Sequence, residues 1–98
     1  MTETDTRLIR LAEPDNVLMI ATALNAGEAL QVAGETVTLP APLSLGHKIA
    51  ARPIAAGEVI LKYNFPIGVA TKAIPLGAHV HVHNVRSDYT PTYIIAEA

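Results

Sequence analysis

The stretch ATKAIPLGAHVHVHN, residues 70–84, aligns without a gap on AARPIAAGEVILKYN, residues 50–64. Ala50 matches Ala70, Arg52 matches Lys72, Ile54 matches Ile74, Gly57 matches Gly77, Ile60 meets Val80 and Asn64 matches Asn84. Each copy spells strand, Ile-x-x-Gly turn, strand, and two copies are too few for a solenoid. The repeat predicts a pseudo-symmetric pair of β-elements inside one compact domain. The second copy ends on histidines at every other position. Side chains alternate between faces along a strand, so a strand over 79–84 puts His79, His81 and His83 on one face and turns Val80 and Val82 into a core. On a helix the same residues would scatter in steps of roughly 100°.

The repeat also supplies an internal control. Where the second copy has His79, His81 and His83, the first has Val59, Leu61 and Tyr63. Packing tolerates an apolar set at these positions, so it does not by itself ask for imidazole.

Outward from the repeat, RLIRLAEPDNVLMIATAL (7–24) spells two short strands broken by the turn residues Pro14, Asp15 and Asn16. NAGEALQVAGETVTLPAP (25–42) is hairpin spelling, with Gly27 and Gly34 able to take positive φ and Pro40 and Pro42 ending the run. The expected fold is all-β, with strands near 16–23, 29–32, 36–39, 47–52, 58–63, 67–72 and 79–84. Residues 1–6 are expected to be a flexible lead-in. The tail VRSDYTPTYIIAEA (85–98) carries Tyr93, Ile94 and Ile95 after Pro91, and is expected to dock on a partner chain or a neighbouring copy.

Composition narrows the function. The chain of 98 residues has room for one modest core, and with half of it hydrophobic and 16% charged it is not a disordered segment. The formal net charge is −2 and no Lys/Arg cluster exceeds a pair, which argues against nucleic-acid binding. No apolar run reaches the roughly 18 residues of a membrane span. With no cysteine there is neither a disulfide framework nor a thiolate metal site. The start, MTETDTRLIR, does not spell a signal peptide, and a cytoplasmic location is the expectation. So apolar a small chain is expected to bury surface against a partner, or against copies of itself when isolated.

Three readings of the histidine segment compete. It is a solvated strand face, a metal site, or an acid–base and anion-binding surface. Neutral imidazole is a common ligand for zinc, iron and copper, and two histidines at i and i+2 reach one ion. His79 and His83 are about 13 Å apart along an extended strand, too far for one ion to join all three easily. Imidazole also titrates near 6.5, which suits proton transfer at cellular pH. His47 and Lys48 in LGHK (45–48) open another strand, and Lys62-Tyr63-Asn64 ends the first copy as His83-Asn84 ends the second. Lys62 is a candidate carboxylate contact, and Asn64 and Asn84 are candidates for left-handed turns. Carboxylates are sparse in the second half, with Glu58 and Asp88 alone before the tail. There is no nucleotide-binding loop, nucleophile elbow or helical His-Glu-x-x-His.

Gly46-His47-Lys48, the Ile54-x-x-Gly57-Glu58 turn, Lys62-Tyr63, Pro66-Ile67-Gly68 and the closing His79-Val80-His81-Val82-His83-Asn84 together resemble the N-terminal SAF domain, a β-clip fold, of the altronate and galactarate dehydratases. Asp15-Asn16-Val17 fits the opening strand of that family, and the resemblance covers roughly residues 7–88. The histidine ending is closer to the altronate branch, and Asn64 stands where the family usually has glycine. The resemblance implies the small SAF subunit (7–86, with 87–98 as a contact tail) of a two-chain hydro-lyase, paired with a large dehydratase subunit. The implied reaction eliminates water from a 2,3-dihydroxy sugar acid to give a 2-keto-3-deoxy acid, and the chain alone is expected to be inactive. Ferrous iron is the implied cofactor, held by His79, His81 and His83 or mainly by the large subunit. His47, His81 and His83 are then the candidate catalytic groups, and Lys48, Lys62 and Asn84 the substrate contacts. The alternatives are the small subunit of a sulfolactate sulfo-lyase, with sulfite as the leaving group, and a non-catalytic SAF carbohydrate-binding module.

Overall fold

A computed structural model describes residues 4–86, which form strands and turns without a helix. In chain order the strands are β1 (Leu8–Ile9), β2 (Val17–Ile20), β3 (Ala29–Val32), β4 (Glu35–Thr38), β5 (Lys48–Ala50), β6 (Val59–Lys62), β7 (Phe65–Ala70), β8 (His79–Val80) and β9 (Val85–Arg86). They pair antiparallel in three small sheets, ordered β1-β2-β5-β8, β3-β4 and β6-β7-β9. The expected all-β class holds.

The repeat is structural as well as textual. Ile54 and Ile74 exchange both backbone hydrogen bonds at 2.8 Å, the Gly57 amide donates to Ala70 and the Gly77 amide donates to Ala50. The two copies therefore clasp each other around a local two-fold axis. A second clasp was hidden in the sequence. IATALNAG (20–27) and LPAPLSLG (39–46) carry the same spacing as AARPIAAG (50–57) and ATKAIPLG (70–77): an apolar first residue, Leu or Ile fifth, Gly eighth. Leu24 and Leu43 exchange bonds at 2.9 Å, the Gly27 amide donates to Leu39 and the Gly46 amide to Ile20. All four turn glycines have φ between 78° and 91°, a region that L side chains rarely adopt.

Each clasp has its own core. Leu18, Ile20, Leu24, Leu30, Leu43 and Ile49 belong to one, and Val17, Ala50, Ile54, Ile60, Ile74 and Val80 to the other. Neighbouring residues of β2 and β5 fall into different cores, because strand side chains alternate. These central strands thus join the two halves of the molecule.

Asp15 and Asn16 do more than turn the chain. Both are buried, and both reach across to the β6–β7 hairpin. Asn16 donates to the Val59 carbonyl and accepts from the Leu61 amide, each at 2.9 Å. The Asp15 carboxylate accepts from the Tyr63 and Asn64 amides at 2.7 Å each. Those two residues have φ of 54° and 62°, the doubly left-handed pair of a tight hairpin turn. Asparagine at 64 holds the conformation that glycine would.

One expectation differs from the structure. The strand expected over 79–84 stops at Val80, and residues 81–84 turn before β9. Asn84 causes this. Its side-chain oxygen accepts from the His81 amide and its amide group donates to the His79 carbonyl, both at 2.9 Å, so these groups are satisfied without a ladder. Val82 is consequently 80% exposed rather than in the core, while Val80 is fully buried. Ahead of β1, the Asp5 amide donates to the Gln31 carbonyl at 2.7 Å and the Thr4 hydroxyl accepts from the Ala33 amide at 3.1 Å. Of the tail expected to dock, Val85 and Arg86 form β9, and residues 87–98 lie outside the described residues.

Candidate functional site

The site grows from the pairing of β5 with β8. Ile49 stands opposite His79 and Lys48 opposite Val80. His47, just before β5, is held by its own carbonyl, which accepts from the Ile20 amide at 2.8 Å. That anchoring puts His47 Nδ1 3.0 Å from His79 Nε2. The His81 ring lies 5.3 Å from both, stacked on His79 at an interplanar angle of 10°. The His83 ring is 5.6 Å from that of His79. All four histidines therefore gather, although the strand expected to align three of them does not exist. The turn at 81–84 folds His83 back towards His79.

The ring nitrogens sort the four. One donor nitrogen from each of His47, His79 and His81 lies within 4.8 Å of the others, and His83 is outside this group. Of the set expected from the sequence, His79, His81 and His83, the structure brings His79 and His81 together with His47 in this group. Two ligands on a tetrahedral ion with metal–nitrogen bonds of about 2.1 Å are roughly 3.4 Å apart. The His47–His79 separation is already close to that, and the exposed His81 has room to move in. Neutral imidazoles in this arrangement fit a divalent metal.

Charge around the cluster has one sign. Burial, and then the neighbouring His47, His81, His83 and Lys48, push the His79 pKa down, which keeps its lone pair free at neutral pH. Half-buried Lys48 is also pushed down, by burial first and then by the charge of Lys62. The two expected anion contacts are thus coupled, Lys48 feeling the charge of Lys62. Among the described residues, Asp5 and Glu28 pair with Arg7, Glu58 pairs with Arg52, and Asp15 is occupied by backbone amides. No described carboxylate forms an ion pair with the cluster or with either lysine.

Two clefts flank the imidazoles. One, of about 380 Å³, has Leu39–Ser44 as one wall and His47, His79, His83 and Asn84 on the other. The second, of about 290 Å³, is lined by Lys48, Ile67, His81, Val82 and Val85. Asn84 is buried, and its carboxamide is spent on the backbone of 79–81, so the structure places it as the brace of the histidine turn. The sequence offers Pro40 and Pro42 only as the end of a hairpin run and Leu45 as an ordinary turn residue, whereas the Pro40–Pro42 wall lines the cleft and exposed Leu45 lies close to His47 in the chain.

The family model for the altronate/galactarate dehydratase SAF domain matches residues 6–88. The chain belongs to that family. The SAF domain is 36% identical to the altronate dehydratase of Bacillus subtilis, across 87% of this chain and 19% of the relative. It is 40% identical to the altronate dehydratase of Escherichia coli, across 82% of this chain and 16% of the relative. It is also 44% identical to the (2R)-sulfolactate sulfo-lyase subunit alpha of Chromohalobacter salexigens, over 46% of this chain and 48% of that subunit. The chain thus spans less than a fifth of the length of the two dehydratases. No helix among the described residues is long and apolar enough to cross a membrane.

Proposed function

We propose that this SAF domain is the small component of an altronate-type sugar-acid dehydratase, working with a large dehydratase subunit. The observation that carries the reading is the convergence of His47, His79, His81 and His83 beside Lys48, with no described carboxylate paired to them. A sugar acid is an anion, and Lys48 and Lys62 form the cationic end that would hold its carboxylate. Exposed His81 and His83 are the groups placed to move protons. One takes the proton from C2 and the other gives a proton to the hydroxyl leaving C3, so that water departs and the enol becomes a 2-keto-3-deoxy acid. Burial favours the neutral form of His79, which leaves a lone pair available to a metal ion. Ferrous iron, if bound here, would be held by His47, His79 and His81 and would supply Lewis acidity to the substrate oxygens, leaving His83 as the proton-moving histidine and the second proton group to the large subunit.

The scarcity of available carboxylates supports a partner. An elimination site also needs groups for the substrate hydroxyls, and no described carboxylate pairs with the histidines or with Lys48, while Asp5, Glu28, Glu58 and Asp15 are engaged elsewhere. Likeness to a protein named as a subunit alpha fits the same arrangement and favours sulfo-lyase chemistry as the second reading. In that reading sulfite, not water, leaves C3.

The test is reconstitution with a large dehydratase subunit and assay of 2-keto acid formation from altronate-type acids. The SAF domain alone should be inactive and the pair active. His81→Ala or His83→Ala should lower turnover by a factor of about 100 or more while leaving thermal unfolding nearly unchanged, because both rings are exposed. Turnover by the purified SAF domain alone would overturn the subunit reading. Sulfite release from sulfolactate would select the second reading. Wild-type turnover in every histidine variant would reduce the face to a carbohydrate-binding surface.

A further inference from the structure

We infer that His47, His79 and His81 form an all-nitrogen site that takes a borderline first-row divalent ion of the zinc or cobalt class and rejects magnesium and calcium, with His83 outside the ligand set. The inference rests on the proposed function for its use in catalysis, but not for binding itself.

Three features support it. His47 and His79 lie on or beside adjacent antiparallel strands, and backbone bonds fix both positions, so their 3.0 Å approach is built into the sheet. Two imidazole nitrogens aimed at each other satisfy one hydrogen bond at most, and only with the right tautomer. The same two lone pairs aimed at a cation satisfy both rings. His81 brings a third nitrogen within 4.8 Å, from an exposed turn where side-chain rotation is unhindered by a core. The donor set then decides the ion. Imidazole suits zinc, cobalt, nickel and ferrous iron, whereas magnesium and calcium require oxygen ligands. No described carboxylate is paired with the cluster to supply that oxygen. His83 contacts the His79 ring but contributes no nitrogen to the group, which casts it as a neighbour free to handle protons.

The full chain, stripped with a chelator, is titrated with Co²⁺ while the visible d–d bands are recorded, and then with Zn²⁺ and Mg²⁺ in a calorimeter. One ion per chain is expected, with Zn²⁺ and Co²⁺ held at least about 100-fold more tightly than Mg²⁺. His47→Gln and His81→Gln should each weaken Co²⁺ binding by about tenfold to 100-fold or more and change the band shape, whereas His83→Gln should change affinity less than about threefold. Metal-free thermal unfolding shows that each variant is folded. If His79→Gln does not fold, the His47 and His81 variants carry the comparison. Absence of stoichiometric Co²⁺ binding at millimolar ion overturns the site, as does Mg²⁺ binding of equal strength or an His83→Gln loss equal to that of His47→Gln. Failure here differs from failure of the proposed function. An active complex whose SAF domain takes up no ion removes the site and leaves the dehydratase, whereas selective binding without any turnover does the reverse.

Discussion

Replacing Asp15 by asparagine tests whether a buried carboxylate organises the hairpin that carries Lys62. Asp15 is 2% exposed and accepts three backbone hydrogen bonds, from Tyr63 and Asn64 at 2.7 Å and from Ala12 at 3.1 Å. Bonds to a charged acceptor contribute about 1.5–3 kcal/mol each. Asparagine keeps one acceptor oxygen and turns its NH₂ towards an amide that also donates, so at least one short bond is lost and two donors face each other. The neutral side chain is easier to bury than the carboxylate, which offsets part of the loss. The net expectation is about 2–4 kcal/mol, a large share of the ~5–15 kcal/mol that stabilises a typical domain. For a chain of this size each kcal/mol shifts the midpoint by about 4–8 °C, so Asp15→Asn should melt at least about 8 °C below the wild type. Circular dichroism measures the midpoint, and amide exchange reads the turn: the Tyr63 and Asn64 amides should lose protection before those of β2 and β5. A midpoint within about 2 °C of wild type, with both amides still protected, would refute the role given to Asp15.

The four turn glycines supply a matched pair. Gly57→Ala meets no atom within 4 Å and should cost only the left-handed strain of about 1–2 kcal/mol, whereas the new methyl of Gly77→Ala would lie 2.6 Å from Val37 and raise the loss to about 2–5 kcal/mol; urea unfolding that ranks them equally would contradict the packing. Asn84→Ala should leave the His79 carbonyl and His81 amide unpaired and loosen the histidine turn, visible as averaged His81 and His83 ring resonances while the β2–β5 amides keep their shifts. Hydrogen bonds from Arg7 hold the Asp5 pKa at about 2, below its ordinary 3.8, so its contribution to stability is present above pH 3.8 and is lost as pH falls through about 2. Arg7→Ala removes the guanidinium but keeps the residue-7 amide that also donates to Asp5, so the Asp5 carboxyl should rise part of the way towards the ordinary range in an NMR titration, and an unchanged midpoint would show that the guanidinium is not the cause.

The strands of the first half and the repeat of the second were legible because alternation and turn glycines are local signals. β3 occupies the residues expected of it, and β2, β4, β5 and β6 fall within a few residues of the expected bounds. The first clasp was missed because its copies share only spacing. Leu24 and Leu43 sit in segments with almost no identical neighbours, whereas 50–64 and 70–84 match residue by residue. The comparison of His79, His81 and His83 with Val59, Leu61 and Tyr63 retains its force for a different reason. Val59 is 37% and Tyr63 63% exposed, so these positions face outward in the first copy too, and the core leaves their chemistry free.

By itself the sequence determined the all-β class, the repeat of 50–64 in 70–84, and a histidine-rich segment with lysines nearby in the chain, because each is written in residues close together along the chain. Only the tertiary structure decided which nitrogens meet. His47 and His79 are 32 positions apart, and their 3.0 Å approach follows from the pairing of β5 with β8, which no local pattern encodes. The same holds for the end of the strand at Val80. An asparagine four residues later captures the backbone groups that a ladder would have used, and the alternation that had seemed to define the site gives way to a turn that gathers it.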